Sequence, residues 1–142
     1  PDLYLYGIHG VEALFTVMGP GCKTVRRVKT PQSDLVVGVW PDGRTGTFRD
    51  LRNAKVPGMA MIYGTESTVT VKNPGYAPLL KEIVTFFKTG TPPVPSAETI
   101  EIYGFMSAAD ASRDREGAAI ALPEFIQAAR DRSTAESLHG DR

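Results

Sequence analysis

The chain has 142 residues, the size of one ordinary domain and long enough to bury a real core. Hydrophobic residues make up 42% and charged residues 23%, which excludes a disordered or fibrous protein. Sixteen basic residues balance sixteen acidic ones, so no global field favours nucleic acid or an anionic membrane, and neither is expected as a partner.

No stretch approaches the roughly 20 apolar residues of a membrane span. Cys22 is the sole cysteine, so no intrachain disulfide can form, and a reducing compartment such as the cytoplasm fits. No basic-then-apolar secretory leader is visible, and a start at Pro1 without a methionine is expected of a fragment.

In chain order, Val11, Leu14, Phe15 and Met18 recur at helical spacing, and Gly19-Pro20-Gly21 ends that helix. Five strands are expected next, over Cys22 to Thr30, Asp34 to Trp40, Arg44 to Leu51, Gly58 to Gly64 and Ser67 to Lys72. Pro41-Asp42-Gly43 is hairpin chemistry, because Asp and Gly tolerate the positive φ of a tight reversal. The basic run Lys23, Arg26, Arg27, Lys29 reads as a solvated strand face.

After Asn73-Pro74-Gly75 the period changes. Leu79, Leu80, Ile83, Val84, Phe86 and Phe87 form a helical stripe, with Pro78 in the first turn and Gly90 at the end. Ser96 is expected to cap a third helix whose buried stripe is Ile102, Met106 and Ala109. Ala118 to Leu122 reads as a short strand and Glu124 to Ala129 as a last helical turn. The reading is a single domain over residues 1–129 with a polar, fraying tail over 130–142.

Strands gathered in one run, with helices before and after, argue an α+β domain with a mainly antiparallel open sheet and helices on one face. Leu35, Val37 and Val39 alternate with Val36, Gly38 and Trp40, so this strand is apolar on both sides. Met59, Met61 and Tyr63 alternate with Ala60 and Ile62 in the same way. Helices sharing one core cover one face, and the other exposes an apolar patch expected to self-associate as a homodimer or a tetramer of dimers.

Several chemistries are set aside. Gly19-Pro20-Gly21-Cys22-Lys23-Thr24 places Cys22 where a phosphate-binding loop needs glycine, and it runs from helix to strand, the reverse of the required context. A Gly-x-Gly-x-x-Gly fingerprint is absent, so no cofactor is expected to bind this chain. Two histidines and one cysteine do not make a structural zinc site, and no metal is expected. What remains is Tyr6-Gly7-Ile8-His9-Gly10-Val11-Glu12, where His9 and Glu12 share a helix face at spacing three. Histidine is the side chain best suited to proton transfer near neutral pH.

That segment, continuing through Ala13-Leu14-Phe15 to Met18-Gly19-Pro20, resembles the opening of the carboxy-terminal domain of the Gfo/Idh/MocA oxidoreductases, with its Asp-x-Gly-x-His-x-x-Asp pattern. The hairpin Val37-Gly38-Val39-Trp40-Pro41-Asp42-Gly43-Arg44, the helix Glu82 to Gly90, and Glu98-Thr99-Ile100-Glu101-Ile102 extend the likeness over most of the chain. The resemblance implies a substrate-binding and oligomerising domain of an oxidoreductase acting on a sugar, polyol or related hydroxylated substrate. NAD or NADP would be held by an amino-terminal domain outside this chain. It implies His9 as the catalytic acid/base, with Glu12 and Tyr6 as substrate-contacting residues. Glu12 stands for the family's second aspartate, and Leu5 stands where its first aspartate belongs. Leu5 keeps a second reading open, a non-catalytic binding or assembly module that retains the fold.

Overall fold

The computed structural model describes residues 3–54, 58–72 and 75–139. A π-helical turn, Leu3–Gly7, runs directly into helix α1, Ile8–Met18. Strands β1 (Thr24–Lys29), β2 (Ser33–Val39) and β3 (Thr45–Leu51) follow, then β4 (Met59–Tyr63) and β5 (Thr68–Lys72). Helices α2 (Ala77–Thr89) and α3 (Ser96–Arg113), strand β6 (Ile120–Ala121) and helix α4 (Leu122–His139) complete the order. The chain is α+β: among the described residues, an antiparallel four-stranded sheet is ordered β3-β2-β1-β6, beside a separate two-stranded sheet of β4 and β5. No helix among the described residues is long and apolar enough to cross a membrane.

The turns follow from residue chemistry. Gly43 takes φ 88° between β2 and β3, and its amide donates to the Trp40 carbonyl while Trp40 and Arg44 close the hairpin. Gly90 ends α2 in the left-handed region with its amide on the Phe86 carbonyl. Ser96 does not cap α3: it is already helical, Pro95 precedes it in extended conformation, and the first-turn amides of Glu98 and Thr99 donate to the Pro95 carbonyl. Pro95 has the extended ψ that a helix entry needs, so the serine hydroxyl is displaced one position too far along.

Strand alternation sorts the sheet into two faces. Val25, Val36, Gly38 and Ile120 point to the side covered by α1 and α3, where Val11, Phe15, Phe105, Met106 and Ala109 complete the core. Phe15 meets Trp40 and Phe105 edge-on, with centroids 5.9 and 5.5 Å away. Gly10 lets α1 approach β3 closely, because a Cβ there would lie 2.1 Å from the Phe48 ring. Val28, Leu35, Val37, Val39 and Leu51 lie on the opposite, open face with Arg26 and Arg49.

The basic run on β1 is not one solvated face. Arg26 is exposed, but Arg27 alternates inward with Val25 and is buried. Its Nε donates to Asp34 at 2.8 Å, its Nη1 pairs with Asp110 of α3, and Arg52 takes the second Asp34 oxygen. Buried charge persists only where paired in this way. The neighbouring Arg27 amide donates to the Ser112 hydroxyl, which donates onward to the Ala118 carbonyl, tying β1 to the end of α3.

The last helix also differs from the expected single turn and polar tail, since α4 runs to His139. Its residues after Phe125 include Ala128, Ala129 and Ala135 with Arg130 and Arg132, good helix formers on a solvated helix, and Gln127 reaches Asp131 one turn on. The larger departure is in the middle of the chain. The β4–β5 hairpin does not extend the main sheet, and α2 carries no buried residue.

Candidate functional site

Leu3 is buried and anchors the π-helical turn, while Leu5 and Tyr6 of the same turn stand exposed at 67% and 72%. Gly7 keeps the helical conformation, φ −62°, so the chain enters α1 without a capping side chain. Val11 and Phe15 then fix which face of α1 is buried. His9 lies two residues from Val11, about 200° around the helix, and is thereby turned to solvent. Its side chain is 75% exposed, and that of Glu12 54%.

His9 Nδ1 lies 3.4 Å from Glu12 Oε2, one turn on. The carboxylate sits beside one ring nitrogen and leaves Nε2 open for exchange with a bound molecule. The structure thus brings His9 and Glu12 together and keeps Tyr6 exposed at the same end of α1. No family model, curated protein or solved structure matches the chain.

Sequence reasoning missed how this end is held. The Tyr4 hydroxyl hydrogen-bonds the Ser107 hydroxyl of α3, and the Tyr4 ring stacks on Tyr103 at 6.4 Å. Both partners are about a hundred residues away in sequence, and the strict alternation Leu3-Tyr4-Leu5-Tyr6 does not mark which tyrosine docks.

The Gly19-Pro20-Gly21 loop carries its own anion, and it is internal. Glu101 Oε1 accepts the Gly21 and Cys22 amides, both at 2.7 Å, so a carboxylate of α3 satisfies the donors a phosphate would need. A shallow hollow of about 260 Å³ opens beside it between Ile100, Glu101, Ile126 and Arg130, away from His9. Cys22 is buried at its floor with its thiol directed to the Thr24 and Val39 carbonyls, and burial pushes that thiol up to about 11. Such a thiol is a packing group and not a nucleophile at neutral pH. Among the described residues, no group of three or more His, Cys, Asp or Glu side chains could hold a metal ion.

Proposed function

We propose that the chain is the substrate-side domain of a Gfo/Idh/MocA-type oxidoreductase, with His9 as proton donor and acceptor to a hydroxylated substrate, a sugar or polyol. The observation that carries the reading is the His9–Glu12 pair, 3.4 Å apart, open to solvent on the first turns of α1. An imidazole so placed is free to meet a substrate held by another domain, and a positioned histidine contributes about 10²–10⁴-fold to a proton-transfer step. Tyr6, exposed at the same end, is a wall for that substrate. NAD or NADP would be bound by an amino-terminal domain, hydride transfer would belong to the cofactor, and this domain would supply orientation and a proton path. Self-association through the open face of the four-stranded sheet is part of the same reading.

Leu5 favours the alternative of a binding or assembly module without catalysis. It is apolar and 67% exposed at the position where the resembled family has an aspartate. The two readings part in one experiment. The gene's product, expressed with any residues preceding Pro1, is assayed for nicotinamide reduction with a panel of sugars and polyols. Substrate-dependent reduction supports the enzyme, and its absence in a protein that binds those sugars without turnover supports the module.

A further inference from the structure

Half of the large hydrophobic side chains exposed among the described residues lie in β4, β5 and α2. The hairpin register puts Ala60 across from Val71 and Ile62 across from Val69, so one hairpin face is wholly apolar. On that face Val69 and Val71 are exposed and Ala60 and Ile62 half-buried, and the α2 stripe of Leu80, Ile83, Val84 and Phe87 is exposed as well. Monomers seldom leave contiguous apolar surface of more than a few hundred Å² in water.

The outer edge of β5 points to what meets this hairpin. The Gly64 amide donates to the Ser67 carbonyl at 2.9 Å, which makes that pair a bonded one. Bonded and non-bonded pairs alternate along an antiparallel ladder, so Thr68, Thr70 and Lys72 stand in the non-bonded pairs with Tyr63, Met61 and Met59. Their amides and carbonyls therefore point away from β4, to an edge that no strand among the described residues pairs. That edge reads Thr-Val-Thr-Val-Lys, β-branched up to its one charge at the end, with none of the proline or inward charge that usually guards an edge strand.

We propose that this edge is a two-fold interface between two copies of the chain, with β5 pairing antiparallel to β5 of the second copy about Thr70. The register is self-complementary. Thr70 meets its own counterpart, and Thr68 meets Lys72 in bonded pairs on either side, about six backbone hydrogen bonds in all. Val69 falls opposite Val71, Thr–Thr and Val–Val are favourable cross-strand neighbours, and Lys72 is carried toward the turn that holds Glu66 of the second copy. The result is a four-stranded sheet, β4-β5-β5-β4, in which Ala60, Ile62, Val69 and Val71 of both copies share one face. A two-fold contact closes and yields a finite dimer. The interface is distinct from the open face of the four-stranded sheet and independent of the oxidoreductase reading.

Sedimentation equilibrium of the full chain at micromolar concentrations tests it. Thr70→Pro removes a donor that β4 does not use, so the hairpin survives while the dimer dissociation constant rises at least about 10-fold. Lys72→Glu, which sets like charges beside Glu66, weakens the dimer too, and adding Glu66→Lys to it restores association. Val37→Asp, on the open sheet face, leaves this dimer in place. A monomeric parent chain, or Thr70→Pro and Lys72→Glu chains that associate as the parent does, would overturn the proposal. So would loss of all association in Val37→Asp.

Discussion

Replacing Asp34 by Asn changes one buried charge and almost no volume, which isolates the electrostatic part of the core. The Asp34 carboxylate is 1% exposed and holds two guanidiniums, Arg27 at 2.8 Å on one oxygen and Arg52 on the other. Breaking a buried ion pair by removing one partner costs about 3–5 kcal/mol, because the remaining charge stays desolvated. Two features place this case at the low end. Arg27 keeps Asp110, and Arg52, 16% exposed, can turn to water. A loss of about 3 kcal/mol is a large part of the roughly 5–15 kcal/mol that holds a domain folded, and at this chain length lowers Tm by about 10 °C. Urea titration followed by circular dichroism reads it as a lower midpoint at unchanged slope. Asp42→Asn is the matched control, since the Asp42–Arg44 pair is solvated and the midpoint should not move. An Asp34→Asn midpoint equal to wild type would refute the view that this network fastens β1 and β2 to α3.

Two further outcomes follow from the same structure. The Cys22 thiol is pushed up from 9.0 to about 11, so at pH 8 its thiolate fraction is about 100-fold below that of a free cysteine, and labelling by a thiol reagent should be slowed by at least that factor. Because the folded chain then holds a proton that the unfolded chain releases, stability contributed by Cys22 is present below pH 9 and falls as pH rises toward 11. Labelling as fast as in urea would contradict the buried placement. On the open sheet face, Val37→Asp should abolish any association made face to face there, read by light scattering, while leaving the core untouched because Val37 points away from α1 and α3.

Local chemistry made most elements legible in the sequence. Pro41-Asp42-Gly43 and Gly90 set their turns whatever surrounds them, and Ile102, Met106 and Ala109 are all buried as their spacing requires. Where partners are distant, local patterns mislead. Arg27 alternates with Val25 on an inward face, and nothing near it in sequence announces Asp110, which makes that burial tolerable. The five-strand run read as one sheet, but alternation records the facing of side chains and not which edges pair, so the separation of β4–β5 was invisible. At the candidate site, the His9–Glu12 contact follows from spacing alone, whereas the Tyr4 anchor on Ser107 and Tyr103 depends on how α3 returns across the sheet.

In the proposed role, His9 moves a proton for a substrate held against this domain. That role is tested most directly by turnover of the parent protein with His9→Ala. The expected kcat is lower by about 10²–10⁴-fold, with a urea midpoint unchanged because the side chain is 75% exposed. Unchanged turnover in the folded variant would contradict it and leave His9 and Glu12 as a surface pair.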